Sequence, residues 1–241
     1  MAAKSRFAFL SSSTLKIIAM AAMVLDHYSV IFNGTESTVF RHIGRIAFPI
    51  FAFLIAEGAK RSKNKLKYAI RLLAFAFISE VPYDWAFYGE FLHIEKQNVY
   101  FTLFLGLVSV MAYDVLQKRK LGFLAFVSTA VLGIAAALLH SDYGFMGVVV
   151  ITLMGVFHST NVGSRYLGLT LASFMTCIAY TPPTKIMFMP LQIYAVFAAV
   201  PVSLYNGKKG MKINKYFFYL FYPLHIIVLA VAKMIIDKGI L

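Results

Sequence analysis

Continuous apolar runs, each near the length of a membrane crossing and separated by short basic connectors, constrain this chain more than any other feature. A helix needs about 20 residues to cross the hydrocarbon of a bilayer. Runs close to that length succeed one another at Thr14–Phe32, Phe40–Ala59, Tyr68–Tyr88, Val99–Leu116, Leu121–His140, Tyr143–Phe157, Tyr166–Tyr180, Ile186–Tyr205 and Tyr216–Ile236. The expected fold is therefore all-α, a polytopic integral membrane bundle of about nine transmembrane helices. It forms a single domain over residues 1–241, with no room for a separate soluble domain. A transmembrane barrel would instead show alternating segments of about ten residues. With 60% hydrophobic residues and a mean hydropathy of +0.75, the chain is also too apolar for a soluble domain.

A net charge of +13 raises the question of nucleic acid. The positions of the basic residues answer it: Lys4 and Arg6, then Lys60 to Lys67, then Lys118 to Lys120, then Lys208 to Lys215, all in short connectors. That is the positive-inside pattern of a membrane protein and needs no nucleic acid. With the amino terminus expected in the cytoplasm, the internal basic connectors fall on that same side. The first apolar run comes after basic residues as a secretion signal would, but it continues into Asp26, His27 and Tyr28 without a small-residue cleavage pattern, so it is expected to be a retained helix. The single cysteine, Cys177, lies in an apolar run and cannot form an intramolecular disulfide.

Ionisable groups inside a bilayer are costly, so each is a candidate for function. Lys16 and His27 sit at opposite ends of the first run. On a helix their separation is about 16 Å of rise and about 1,100° of rotation, which returns both to nearly the same face. A long anionic donor gripped at one end and used at the other fits that geometry. Asp26, Glu80, Asp84, Asn98 and Asp142 fall towards the opposite side from the basic connectors, with Arg41, His42 and Arg45, and His225 lies near the middle of the last run. Glu80 and Asp84, one turn apart, require a cation or a shared proton, and Arg45 is the expected partner. Pro49 and Pro82 are expected to kink their helices. His93, His140 and His158 are interfacial hydrogen-bonders on this reading, and no pair of ligands has the spacing of a zinc site.

Several motifs together resemble one family. LKIIAMAAMVLDH (Leu15–His27), GRIAFPIFAFLIAEG (Gly44–Gly58), ISEVPYD (Ile78–Asp84), NVYFTLFLG (Asn98–Gly106), DYG (Asp142–Gly144) and FFYLFYPLH (Phe217–His225) look like the TraX family, in order and over nearly the whole chain. TraX proteins are named for a conjugation-system enzyme that acetylates the amino terminus of pilin, and the family looks related to the membrane acyltransferase-3 superfamily. That superfamily carries an Arg or Lys, separated by ten residues from an essential His, on its first helix, a spacing that Lys16 and His27 match. Its paired-arginine motif is matched poorly by Arg41 and Arg45, so the resemblance itself transfers no coenzyme-A role to them.

The resemblance implies an acyltransferase that moves an acetyl or other acyl group from cytoplasmic acyl-coenzyme A to an amine or hydroxyl at the outer side. A pilin or other peptide terminus, a glycan or a small molecule are the candidate acceptors, and membrane lipids are the other expected partners. The expected catalytic set is His27, Asp26, His225, Glu80 and Asp84. Lys16, Arg45 and Glu57 are expected towards the donor, with Glu57 countering Lys16 or a basic connector, and Asn98, Asp142 and Tyr143 towards the acceptor. No metal is expected. Asp26 lies about 100° around the helix from His27 and need not orient it directly; Glu80, Asp84 and Asp142, from other runs, are equally open as orienters. A transporter, which also places ionisable groups at mid-depth, and a non-catalytic assembly factor are the alternatives.

Overall fold

The computed structural model describes residues 8–33, 39–157, 168, 170 and 191–239. Its elements are α1 (Ser12–Asn33), α2 (Val39–Gly44), α3 (Ala47–Arg61), α4 (Lys65–Tyr88), α5 (Val99–Lys118), α6 (Gly122–Leu138) and α7 (Gly144–Val156). After the 3₁₀ turn Leu191–Ala198 come α8 (Ala199–Ser203) and α9 (Lys215–Asp237). The chain is an all-α bundle, as the apolar runs require.

Among the described residues, four segments are long and apolar enough to cross a membrane: Ser12–Phe32, Val39–Arg61, Val99–Lys118 and Lys215–Asp237. The expectation of nine is met only to that extent. α4 is long enough but carries Lys65, Lys67, Arg71, Glu80 and Asp84. Gly122–Leu138, Gly144–Val156 and Leu191–Ser203 are apolar but shorter. The run Tyr166–Tyr180 apart from Gly168 and Thr170, together with His158, Arg165 and Cys177, lies outside the described residues.

Asparagines start three of the long helices. Asn64, Asn98 and Asn214 each accept, through the side-chain oxygen, a backbone N–H of the first turn, from Lys67 at 2.8 Å, Tyr100 at 2.9 Å and Tyr216 at 3.0 Å. Each satisfies a donor that the helix start would otherwise leave open. The prolines do different work. Pro49 has no N–H for the Arg45 carbonyl, and the helix breaks just there: Ile46 N–H turns back to the Ile43 carbonyl at 3.3 Å before α3 begins. The expected kink is thus a break ahead of the proline. Pro82 sits inside an unbroken α4. Pro223 removes the N–H that would bond the Tyr219 carbonyl, and the Tyr100 hydroxyl of α5 donates to that oxygen at 3.0 Å. In lipid a freed carbonyl has to find such a partner.

α5, α6 and α7 pack against one another, α1 packs on α2, α3 and α9, and α4 bridges α9 and α5. Lipid tails are as apolar as the side chains, so close fit rather than water exclusion holds such helices together. At the α5–α7 contact a Cβ on Gly106 would lie 2.4 Å from Ile151 Cδ1. Ser109 ties three helices at one level, with its hydroxyl 2.7 Å from Thr152 Oγ1 of α7 and 3.2 Å from Thr129 Oγ1 of α6. Fully buried Leu15, Ile50, Phe53, Leu72 and Ile226 belong to one packed cluster that joins α1, α3, α4 and α9.

Candidate functional site

One cavity of about 700 Å³ runs between α1, α3, α4 and α9, and it holds both Lys16 and His27 in its wall. Its two ends differ in chemistry. At the basic end are Lys16, Arg61, Arg71, Lys209 and Lys212 of the segment ahead of α9, and Lys215 at the start of α9; at the far end are Asp26, His27, Arg41, Arg45, Asp142 and Tyr143.

The segment ahead of α9 is tied to the start of α1. Ser12 and Ser13 N–H groups donate to the carbonyls of Lys208 at 2.9 Å and Lys209 at 3.0 Å, and the Ser13 hydroxyl adds a bond to the Lys209 carbonyl at 2.8 Å. These bonds bring the Lys209 to Lys215 charges beside Lys16. The Lys16 ammonium itself stands over the Phe218 ring, 4.4 Å from its centre. Glu57, buried in α3, faces Arg61 at 2.5 Å and accepts from the Tyr205 hydroxyl at 2.5 Å. Of the two expected counter-charges, it meets the connector arginine.

At the far end His27 meets His225 directly, with Nδ1 and Nε2 2.8 Å apart. The two rings are nearly parallel, at 8°, with centres 5.0 Å apart. His225 Nδ1 lies 2.8 Å from the Phe221 carbonyl, one turn earlier on α9. A carbonyl only accepts, so this bond assigns the proton of a neutral His225 to Nδ1 and leaves Nε2 as an acceptor. His27 must then donate from Nδ1, which leaves its Nε2 as the nitrogen carrying the lone pair. Phe87 at 5.3 Å and Tyr222 at 5.9 Å present ring edges around His27. His27 lines the cavity and His225 stands behind it. None of the carboxylates expected to orient His27 does so; the orienting group is a second imidazole, held in turn by a backbone carbonyl.

Asp26, beside His27 in sequence, faces elsewhere. Both its oxygens lie 2.5 Å from Arg45 Nη2, and Arg41 Nη1 approaches at 3.3 Å. Arg45 therefore pairs with Asp26, not with Glu80 and Asp84 as the sequence suggested, because the break before Pro49 turns it towards α1. Gly44 makes that approach feasible: a Cβ there would lie 2.4 Å from Asp26 Cβ and 2.7 Å from Oδ1. Gly44→Ala is accordingly expected to lower stability by about 1–3 kcal/mol, read as an earlier thermal melt in detergent. An unchanged melt would mean that α2 can shift without loss of the ion pairs.

Glu80 and Asp84 lie outside the cavity wall. Glu80 accepts from Asn98 Nδ2 at 2.6 Å, and buried Asp84 accepts from the His93 N–H at 2.8 Å. Asn98 also donates to the Ala76 carbonyl at 2.8 Å, so it joins α4 to α5 instead of lining the cavity. Asp142 and Tyr143 do line it. Tyr143 has φ +62°, an uncommon value for a residue with a Cβ. Its turn is held from the α4–α5 connection, where Gln97 pairs with the backbone of His140 and Asp142 at 3.2 and 2.9 Å, and by Thr102, whose hydroxyl donates to the Asp142 carbonyl. Phe48 stacks on Tyr143 with ring centres 3.8 Å apart. Among the described residues, no group of three or more His, Cys, Asp or Glu stands ready to hold a metal ion.

The sequence pattern described as TraX protein matches residues 11–233. The chain belongs to the TraX family. The match takes in every helix described above except the last few residues of α9, so the cavity lies wholly within the TraX region. A curated relative, the probable fimbrial assembly protein FimC, serogroup H1, of Dichelobacter nodosus, is 29% identical over 244 residues, covering 94% of this chain and 97% of the relative. No solved structure matches this TraX protein. Several long apolar helices and TraX membership together make it a polytopic bacterial membrane protein with an acyltransferase-like family background.

Two features of the site differ in how far the sequence announces them. The His27–His225 contact joins residues 198 positions apart; membrane depth and TraX-like context each draw attention to the second histidine, but neither announces that it meets the first. The Tyr100–Tyr219 bond that shapes α9 below His225 does have a signal, since Pro223 announces a free carbonyl four residues earlier.

Proposed function

We propose that this TraX protein transfers an acetyl or other acyl group from acyl-coenzyme A, entering at the basic end of the cavity, to an amine or hydroxyl arriving at the far end. The observation that carries the reading is the pairing of a tautomer-fixed His27 with Lys16 across one continuous cavity, about 16 Å apart along α1. With the basic connectors on the cytoplasmic side, the donor comes from the cytoplasm and the acceptor from outside, and the remaining apolar runs complete the crossings.

Phosphate groups bind the lysines and arginines at the mouth through charge-assisted hydrogen bonds. The pantetheine arm extends along α1 and brings the thioester to His27. His27 Nε2 takes the proton of the attacking amine or hydroxyl as the new bond to the acyl carbon forms and the carbon–sulfur bond breaks. The proton then passes to the departing thiolate, giving free coenzyme A and acylated acceptor. His225 and the Phe221 carbonyl hold His27 in the required tautomer, and the Phe87 and Tyr222 rings limit water. Asp142 and Tyr143 face the acceptor side. The name of the Dichelobacter nodosus relative, a probable fimbrial assembly protein, favours a fimbrial subunit terminus as acceptor, and it equally fits an assembly role without catalysis.

The test is saturable binding and slow hydrolysis of radiolabelled acetyl-coenzyme A by purified protein in detergent, beside Lys16→Ala and His27→Ala. The expected result is binding weakened by loss of Lys16 and turnover lost with His27. Folded protein that binds neither acetyl- nor longer acyl-coenzyme A would overturn the reading and bring transport forward.

A further inference from the structure

Arg71 is one of the two arginines at the basic end, and the other, Arg61, is already paired with Glu57. Arg71 lies on α4, six residues from the helix start and so about 9 Å in from that end. Its side chain lines the cavity, its guanidinium carbon is 5.8 Å from the centre of the Tyr68 ring, and its Nε is buried without a hydrogen-bond partner among the described residues.

An arginine near a membrane surface ordinarily extends its head to water. Arg71 instead turns into the cavity, where the carboxylate at this level, Glu57, is already engaged by Arg61 and the Tyr205 hydroxyl. Among the described residues no carboxylate forms an ion pair with Arg71 or with Lys16. The Tyr219 hydroxyl does hydrogen-bond with Arg71, but a neutral phenol brings no counter-charge. Arg71 is partly exposed and faces the cavity, so its charge is open to an anion that enters there. With no carboxylate of the described residues paired to it, the ligand is the source of that anion.

We infer that Arg71 forms, with Lys16, the subsite for the diphosphate of a nucleotide-linked donor. A guanidinium presents N–H groups in a planar fork that matches two phosphate oxygens, whereas Lys16 acts as a mobile point charge. Arg71 takes the diphosphate at the start of the arm, and the arm then runs along α1 towards His27. The lysines at 209, 212 and 215 remain at the open mouth, where they attract anions of any shape. Selectivity for a nucleotide-bearing thioester over a bare one thus resides in Arg71. This inference rests on the acyl-donor reading and adds to it the group that recognises the donor.

The test compares two probes, acetyl-coenzyme A and S-acetylpantetheine, which share the thioester and the arm but differ in the nucleotide diphosphate. Binding of both is measured for the unaltered protein, Arg71→Ala and Arg71→Lys. Arg71→Ala is expected to weaken acetyl-coenzyme A by roughly ten- to a hundredfold, the range for hydrogen bonds to a charged group, and to leave S-acetylpantetheine unchanged. Arg71→Lys should recover only part of the loss, since it restores charge without the fork. Unchanged S-acetylpantetheine binding also shows that the variants are folded. Equal weakening of both probes would make Arg71 structural and overturn the inference, as would no weakening of either. If the unaltered protein binds neither probe, the failure is that of the donor reading itself.

Discussion

Turnover of acetyl-coenzyme A is expected to disappear in His27→Ala and to fall by about two orders of magnitude in His225→Leu, the lower part of the range for a positioned general base. Donor affinity should stay nearly constant in His225→Leu, because His225 stands behind the cavity wall. Leucine removes the acceptor for His27 Nδ1–H, so the ring is free to rotate and to carry its proton on the nitrogen that has to accept one. The informative variant is His225→Gln. A glutamine amide oxygen can take the place of Nε2 and accept from Nδ1, although it cannot carry a proton onward. Substantial recovery by Gln relative to Leu would mark His225 as a positioning residue. Equal loss in both would assign it a proton-carrying step, and unchanged turnover in both would remove the pair from the mechanism.

How much of this arrangement is legible in the sequence depends on whether a property is local. Helix class comes from run length, and the starts of α4, α5 and α9 come from asparagines with local capping chemistry. The Lys16–His27 relation lies within one helix, so periodicity alone relates the two side chains. Partners across helices are a different matter. A common depth in the membrane suggests Glu80 and Asp84 as partners of Arg45, yet depth does not specify the azimuth of a helix. The break before Pro49 sets that azimuth and sends Arg45 to Asp26. Glu80 and Asp84 then take Asn98 and the His93 N–H, contacts that join α4 to its connection with α5. Arg71 is hidden for a similar reason: near a basic connector it reads as one more surface charge, and its place in the cavity wall depends on α9 packing beside α4.

Asp26→Asn should be the most damaging change to stability. Asp26, Arg41 and Arg45 are all about seven-eighths withdrawn from solvent, with side-chain exposures of 14%, 15% and 12%. Removing one partner of a buried ion pair leaves charge without compensation, which costs about 3–5 kcal/mol. The loss should appear as a large fall in melting temperature in detergent. Turnover should fall with it, because the residue next in sequence is His27 and the ion pairs fix this end of α1 against α2. The control is a double change. Replacing both members of the shorter pair, as in Asp26→Leu with Arg45→Met, leaves one arginine, Arg41, without its Asp26 contact instead of two, and should cost less than Asp26→Leu alone. If the double variant is as unstable as the sum of the singles, the two residues act independently, and the fixed position of His27 has to come from its contact with His225 instead.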